Sequence, residues 1–388
     1  MTEKLFYKDS HLSEFEATVL SCEAVEDHYE IELDRTAFFP EGGGQYSDRG
    51  VLGTVVVYDV QEREDRIFHM TKEPIDQGTV LCGRIDWDER FMKMQQHTGE
   101  HIVSGIVHER FGYNNVGFHL GTEDCTMDFN GEITVEQLRQ LELEINQAVW
   151  KNLPVITLYP TKEQLPQMEY RSKIEIQGQV RIIEIPGYDR CACCAPHVDR
   201  TGEIGVVKLT NVQRYKGGVR VTMLCGVRAL ADYNMKEKQV KEVSRLLCAK
   251  ENEIAEAVEH LTEEQNNLKY EIVDREKKMI RYKAETIPSG KEPVCVFTDE
   301  FAGESMRLLM NELLEEGHIL CAVFYGNEGD GYRFVMGSPS IDMRALGKEF
   351  HAQFHGRGGG KPEMIQGSVQ GSEEEMTRWI LEKVGNVS

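Results

Sequence analysis

The 388-residue sequence has no apolar run as long as a membrane span, and its first residues lack the apolar segment of a secretion signal. Its ten cysteines do not follow the regular spacing of a disulfide framework. These absences predict reduced thiols, a cytoplasmic location and no membrane partner.

Positive charge is scarce, because 44 lysines and arginines face 66 acidic residues, which gives a net charge of −22. Such a chain repels a polyanion at long range, which counts against nonspecific nucleic-acid binding, and any contact must use local basic patches. Two segments offer such patches, although solvated cations on an acidic surface would look the same. The first holds Lys208, Arg214, Lys216 and Arg220, and the second holds Arg344, Lys348, Arg357 and Lys361.

The sequence also lacks the strand, GxxxxGK[ST] loop and helix of a nucleotide P-loop, so no ATP site is expected. Its nearest approach is the stretch His355-Gly-Arg-Gly-Gly-Gly-Lys-Pro362. Glycines flanked by Arg357 and Lys361 predict a turn that cradles a phosphate.

What the sequence does contain is a pair of histidines, His97 and His101, four residues apart in an amphipathic segment. Asp88 and Glu89 favour a helix start and Gly112 a helix end. On a helix, both rings leave the same face and can bind one metal ion. With twelve histidines in the chain, this pair alone is weak evidence.

A second pair, Cys193 and His197, has the same spacing nearly a hundred residues later. Gly187 and Pro196 predict a turn or loop there. Because zinc prefers nitrogen and sulfur ligands in a tetrahedron, the two pairs together make a complete Zn²⁺ site. Cys194 competes as the sulfur ligand, and buried thiols with a satisfied core histidine are the structural alternative.

A glycine run in Pro40-Glu-Gly-Gly-Gly-Gln-Tyr46 is the third feature. Consecutive glycines allow unusual backbone angles and bring amide groups close to a ligand, although a tight turn between strands explains them equally. We therefore treat Gly43, Gly44 and Gln45 as candidate substrate-binding residues.

The pattern of elements predicts an α+β protein in four segments. Residues 1–87 read as short strands of a small β-barrel, and residues 88–226 as an α+β domain that carries both ligand pairs. Residues 227–288 form a helical hairpin or arm, with Thr262 and Gln265 capping its second helix and too many polar seam positions for a long coiled coil. Residues 289–388 alternate strand and helix as a small α/β domain.

The order PEGGGQxxDxG, HTGEH, CxxxH, Val198-Asp-Arg-Thr-Gly-Glu-Ile-Gly205, Lys216-Gly-Gly-Val-Arg220 and GRGGGKP resembles the freestanding alanyl-tRNA editing proteins of the long AlaX type. These are similar to the editing and C-terminal parts of alanyl-tRNA synthetase. The resemblance covers nearly the whole chain.

The resemblance implies hydrolysis of mischarged tRNA(Ala), chiefly the seryl and perhaps the glycyl ester, with no ligase activity. It implies zinc ligation by His97, His101, Cys193 and His197, and a C-terminal DHH-associated domain that binds tRNA or forms a homodimer. Arg220, Arg357 and Lys361 are then candidate tRNA contacts. Between the residues that correspond to Cys193 and His197, the synthetases usually carry Gly-Gly-Thr, whereas this chain has Cys-Ala-Pro. The segment that should recognise serine, Val116–His119, has no clear match to the family. We treat His119 of this segment as a candidate substrate contact.

The mechanism requires an oriented water and stabilisation of negative charge on the ester carbonyl. Glu100 is a candidate base, although its position beside His101 favours a solvent-facing side chain. Two other functions fit parts of the pattern. The HxxEH spacing is typical of inverted zinc peptidases, which need a carboxylate as third ligand. A noncatalytic tRNA-binding protein with a structural zinc is the second alternative.

Overall fold

The computed structural model describes residues 2–122, 124–172 and 180–385. It divides the chain into two compact units, Met1–Glu242 and Val243–Ser388. The described residues contain helices and several sheets, so the α+β class is confirmed. None of the described helices combines the length and the apolar character needed to cross a bilayer.

The first unit begins with strands rich in β-branched and aromatic residues. Six of them pair in the order β2-β3-β7-β6-β5-β8 and close into a barrel, whose interior is filled by apolar side chains such as Leu33, Phe38 and Val60. The strands are β1 (Glu3–Lys4), β2 (Glu14–Val25), β3 (His28–Leu33), β4 (Arg35–Thr36), β5 (Gly50–Leu52), β6 (Val55–Arg63), β7 (Arg66–Thr71) and β8 (Val80–Ile85).

Helix α1 (Trp87–Phe111) follows the barrel. Asp86 caps its first turn by accepting a hydrogen bond from the Glu89 amide, and Gly112 ends it in the left-handed conformation at φ 71°. The helix is buried along most of its length, from Arg90 to Val107. It therefore forms the central support of the first unit.

Around α1 lie a second helix and two sheets. Thr134 and Gln137 form the predicted capping box of α2, and a core between helices and sheet includes Ile102, Leu141 and Val221. The sheets have the orders β14-β15-β10-β9 and β11-β12-β13. The elements are β9 (Asn115–Leu120), β10 (Cys125–Phe129), α2 (Val135–Trp150), β11 (Ile156–Leu158), β12 (Ile182–Ile185), β13 (Asp189–Ala192), β14 (Val207–Tyr215), β15 (Gly218–Cys225) and α3 (Gly226–Leu247).

The second unit contains one long helix and a five-stranded sheet of order β16-β17-β18-β20-β19. Apolar clusters cover both faces of this sheet, one around Phe324 and Phe334 and the other around Leu309 and Val323. The elements are α4 (Ile254–Glu285), β16 (Val294–Thr298), α5 (Glu304–Glu315), β17 (Cys321–Asn327), β18 (Gly331–Gly337), α6 (Met343–Gln353), β19 (Arg357–Lys361), β20 (Met364–Val369) and α7 (Glu373–Gly385).

Two local predictions in the second unit are wrong. Thr262 does not cap a helix, because it lies inside α4 and its hydroxyl donates to the Val258 carbonyl at 2.8 Å. Arg357–Lys361 is not a turn but strand β19, which pairs antiparallel with β20. The glycines are extended at the sheet edge, so the predicted phosphate nest is absent.

Candidate metal and substrate site

His97, His101, Cys193 and His197 converge in the first unit, with their ligand atoms all within 4.8 Å of one another. The rings of His97 and His101 leave one face of α1 and stack with centroids 5.6 Å apart. His97 Nε2 lies 3.4 Å from Cys193 Sγ. The structure therefore brings together the two pairs that lie 96 residues apart in the sequence.

The loop that carries Cys193 and His197 is held from several sides. It follows strand β13, and the Cys193 amide donates to the Arg181 carbonyl at 3.0 Å. The Arg181 guanidinium donates back to the carbonyls of Cys193 and Ala195, both at 2.9 Å. On the other side of Pro196, the Val198 amide donates to the Thr98 hydroxyl of α1 at 3.2 Å. The loop is thus fixed against the helix that bears the other two ligands.

Each helical histidine is oriented by a hydrogen bond at the nitrogen that faces away from the cluster. Nδ1 of His97 donates to Oε1 of Gln45 at 2.9 Å, and Nδ1 of His101 donates to Oδ2 of Asp189 at 2.8 Å. Arg171 holds Asp189 in turn through two hydrogen bonds of 2.8 and 2.9 Å. This arrangement directs both Nε2 atoms into the cluster, as is usual for metal-binding histidines.

Three ring nitrogens of the cluster are free to bind a metal. Nε2 of His101 and both ring nitrogens of His197 are buried and have no hydrogen-bond partner among the described residues, which is costly unless something binds there. Three imidazole nitrogens and one thiolate form a donor set that zinc favours. The residues present therefore fit a bound metal ion.

Ionisation of these groups is strongly perturbed. Burial lowers the pKa of His197 to about 3, so its ring is neutral at pH 7. Burial would raise the pKa of the Cys193 thiol, but His97 and His197 outweigh it and hold the pKa well below its usual range. Burial disfavours the charged form of His101, yet Asp189, Cys191 and Cys193 raise its pKa well above the ordinary value. A thiolate at Cys193 is the form that binds metal.

Cys194 is exposed and is not part of the cluster that the described residues form. Its Sγ lies 3.5 Å from where a Cβ on Gly43 would be. A second group of potential ligands consists of His101, Asp189 and Cys191. It shares His101 with the first, and its carboxylate is already paired with Arg171.

The glycine run borders the metal cluster. Gly43 (φ 63°) and Gly44 (φ 83°) both have left-handed backbones, and a Cβ on Gly44 would approach the Phe118 carbonyl to 2.5 Å. A Cβ on Gly43 would lie 3.6 Å from the His97 ring. The Leu120 amide donates to the Gly44 carbonyl at 2.8 Å, which joins the run to β9.

The other candidate substrate residues differ in exposure. Gly43, Gly44 and His119 are exposed, and Gly44 and His119 line one cleft that also includes Gln45. Gln45 is only 3% exposed and contacts His97. Phe118, which sequence reasoning did not single out, packs 4.8 Å from the His97 ring.

Beneath the glycine run lies a fully buried group of charges. The carboxylate of Asp48 pairs with Arg90 and Lys93, and all three side chains are at most 1% exposed. Asp48 also accepts the Phe39 amide at 2.7 Å and so closes the segment that carries the glycines. This ion cluster ties the glycine run to α1.

Glu100 does not face solvent, contrary to expectation, because it is 1% exposed. Its Oε1 accepts hydrogen bonds from the Ser104 hydroxyl at 2.7 Å and the Asn115 amide at 2.6 Å. Its Oε2 lies 4.0 Å from His101 Nε2. Glu100 thus connects α1 to the first residue of β9.

Arg220 is not available as a free cation. It makes two hydrogen bonds of 2.6 and 2.7 Å to Asp128, and its guanidinium stacks 3.9 Å from the Tyr215 ring. Lys208 pairs with Glu142 in the same patch. Arg357 and Lys361 are exposed in the second unit, far apart along one extended strand.

Comparisons with known proteins point to one family. Residues 180–222 match the threonyl and alanyl tRNA synthetase second additional domain, tRNA_SAD, and residues 291–386 match the DHHA1 domain. The alanyl-tRNA editing protein AlaX-L of Pyrococcus horikoshii is 27% identical over 99% of this chain and 98% of its own length. The alanyl-tRNA editing protein Aarsd1 of Rattus norvegicus is 28% identical over 96% of this chain and 95% of its own.

The similarity extends to a synthetase. The alanine–tRNA ligase of Halorubrum lacusprofundi is 30% identical over 94% of this chain, which spans 42% of that enzyme. These matches confirm the resemblance that the ordered motifs indicated. The chain is a relative of the alanyl-tRNA editing proteins that carries a tRNA_SAD and a DHHA1 domain.

Proposed function

We propose that this protein is an aminoacyl-tRNA deacylase that hydrolyses mischarged tRNA(Ala), chiefly its seryl and also its glycyl ester. The observation that carries the proposal is the cluster of His97, His101, Cys193 and His197 beside an exposed glycine run. It occurs in a chain similar over nearly its full length to alanyl-tRNA editing proteins. Because its match with synthetases covers under half of their length, we expect no ligase activity.

The cofactor we assign is Zn²⁺, held by those four side chains. When bound, it supplies positive charge that polarises an ester carbonyl and lowers the pKa of a nearby water. Gln45 and Asp189 keep the two helical rings in the tautomer that presents Nε2. Cys193 is the sulfur ligand rather than Cys194.

The cleft between the glycine run and β9 receives the aminoacylated end of the tRNA. We assign the backbone amides of Gly43 and Gly44, two exposed residues beside the cluster, to donate to the ester carbonyl as negative charge develops on it. Phe118 limits the space above His97, and His119 lies at the entrance. Since both glycines have positive φ, a side chain at either position would distort the cleft.

We assign Glu100 a positioning role rather than that of the base. Its Oε1 is committed to Ser104 and Asn115, and the side chain is buried beneath the cleft. Removing its charge would loosen the attachment of β9 to α1. Glu100→Gln should therefore raise the KM for the charged tRNA more than it lowers kcat.

The deciding experiment is a deacylation assay on Ser-tRNA(Ala), Gly-tRNA(Ala) and Ala-tRNA(Ala), with and without a chelator. We expect loss of the seryl and glycyl esters, survival of the alanyl ester, and inhibition by the chelator. Survival of all three esters with metal-loaded protein would favour a noncatalytic tRNA-binding protein.

An inverted zinc peptidase is the less favoured function. Such an enzyme would bind its metal through His97, His101 and a carboxylate from another element. Asp189 of β13 offers a carboxylate beside His101, but it is already paired with Arg171. Such an enzyme would keep its metal in Cys193→Ala. The deacylase should lose both zinc and ester hydrolysis in that variant.

We also propose that the protein works in the cytoplasm and forms a homodimer, through α4 rather than through the C-terminal domain that the resemblance implied. The sequence argued against a long coiled coil across the whole arm, but within α4 apolar residues are exposed at intervals of three, four and seven, as in a short coiled-coil seam. They are Val258 (45%), Leu261 (53%), Leu268 (59%), Ile272 (63%), Met279 (52%) and Tyr282 (70%). Such a stripe of apolar surface calls for a partner.

An antiparallel second copy fits this seam. With the two-fold axis at Tyr270, Leu268 would pack on Ile272 of the second copy, Leu261 on Met279 and Val258 on Tyr282. The two polar seam residues, Gln265 and Arg275, would then pair with each other. A parallel arrangement would instead place two Arg275 side chains opposite each other, and these like charges would repel.

A further inference from the structure

The second unit carries a row of side chains across one face of its sheet. Strand pairing places Thr298 beside Tyr325, and Tyr325 beside Arg333. Ser368 of β20 is the register partner of both Arg333 and Arg357. Residues in register on neighbouring strands point to the same face, so two arginines flank one serine hydroxyl. All five residues line one large cavity.

The two arginines have nothing to neutralise them. Both are exposed, and within the described part of the chain neither forms an ion pair or a side-chain hydrogen bond. In a protein with net charge −22, most cations have acidic partners, as Arg220 and Arg344 do. Their Cα atoms are about 10 Å apart, two strand spacings, so both guanidinium groups can reach one tetrahedral anion between them.

The rest of the cavity has a different character. Asp299 follows β16 at the opposite edge of the sheet, and Asp330 and Glu373 also line the wall. Asp330 accepts the Asn327 amide, and Glu373 accepts the Tyr332 hydroxyl. The ring of Tyr325 lies between the acidic edge and the arginines in the row. A cavity with cations at one end, an aromatic ring in the middle and acceptors at the other suits a nucleotide.

We propose that Arg333, Ser368 and Arg357 bind the phosphate of a nucleotide whose base lies against Tyr325. The site belongs entirely to the second unit and is separate from the metal cluster. It also replaces the pairing of Arg357 with Lys361 that the glycine motif indicated. Along an extended strand those two residues are about 13 Å apart, and Lys361 lines a different cavity.

The test measures binding of inorganic phosphate, AMP and uncharged tRNA by the full-length protein. The double variant Arg333→Gln/Arg357→Gln should bind AMP at least tenfold more weakly than the wild type. The matched control, Arg307→Gln/Lys383→Gln, removes the same charge from the same unit at two exposed positions outside the cavity and should bind AMP as the wild type does. Ser368→Asp keeps both arginines but places a carboxylate between them, and should also abolish binding.

The tRNA arm separates the two sources of the phosphate. If the nucleotide is part of tRNA, the variant Arg333→Gln/Arg357→Gln should bind tRNA more weakly and with a reduced salt dependence, and the control variant should not. If the ligand is a free nucleotide, AMP binding is lost and tRNA binding stays unchanged. The proposal is overturned if AMP and tRNA binding are both indifferent to the arginine pair and to Ser368→Asp, or if the control pair weakens them equally. Deacylation at the metal cluster is measured separately, so failure of one proposal does not decide the other.

Discussion

Asp48→Asn is the substitution that tests most sharply how the substrate cleft is supported. The change preserves shape but removes the carboxylate that pairs with both Arg90 and Lys93, and all three side chains are at most 1% exposed. Burial alone would raise the pKa of Asp48, yet Arg90 and Lys93 hold it below the ordinary value, so the carboxylate is charged at pH 7. The variant would leave the buried Arg90 without its acidic partner and Lys93 with Glu89, 3.5 Å away, as its remaining one.

The size of the effect follows from that burial. Removing one member of a buried ion cluster costs about 3–5 kcal/mol, a large part of the roughly 5–15 kcal/mol that stabilises a typical domain. Asp27→Asn is the matched control, because Asp27 pairs with Lys72 on the surface, where both side chains are at least 60% exposed. An exposed pair contributes little to stability, because water screens its charges.

Urea unfolding followed by tryptophan fluorescence measures both variants. We expect a large loss of unfolding free energy in Asp48→Asn and little change in Asp27→Asn. Zinc affinity should fall in Asp48→Asn as well, because the segment that Asp48 closes carries Gln45, the partner of His97. Equal stability losses of 1 kcal/mol or less in both variants would refute this reasoning.

Three further predictions concern acid stability, metal affinity and assembly. Burial lowers the pKa of His69 to about 4, whereas an unfolded histidine titrates near 6.5. The contribution of the neutral His69 to the free energy of unfolding is therefore complete above pH 6.5. It is lost as the pH falls toward 4, because the unfolded chain binds a proton that the folded protein does not. The wild type should lose about 3 kcal/mol more than His69→Gln over that range in urea unfolding, and parallel losses would contradict this. Asp189→Asn should weaken zinc binding about 10–100-fold in a chelator competition; unchanged affinity would remove its orienting role. Leu268→Lys should yield monomers by light scattering, whereas Val273→Lys, an exposed apolar position off the seam, should not.

Local signals predicted much of this structure because their causes are local. The capping box of Thr134 and Gln137 marked the start of α2, and Gly112 marked the end of α1. The two pairs of candidate ligands were recognisable because the two members of each pair lie four residues apart, one pair on α1 and the other in a single loop. By contrast, Thr262 has the same spacing to Gln265 as a true cap, but the favourable helix continues through it.

What the sequence could not show depends on contacts between distant residues. Asp189 and His101 are 88 positions apart, and nothing near either residue indicates the hydrogen bond between them. Glu100 is buried because Asn115 arrives from a strand that was not predicted. The glycines of β19 have low strand propensity and become extended only through pairing with β20. The four side chains that cluster were therefore predictable, and the residues that hydrogen-bond to them were not.

The central claim is that one zinc ion bound through Cys193 is required for ester hydrolysis. The most direct measurement is the zinc content and Ser-tRNA(Ala) deacylation rate of Cys193→Ser beside the matched variant Cys194→Ser. We predict that Cys194→Ser keeps both zinc and activity and that Cys193→Ser loses both. Full zinc occupancy in Cys193→Ser, or an undiminished rate after its zinc is removed, would contradict the claim.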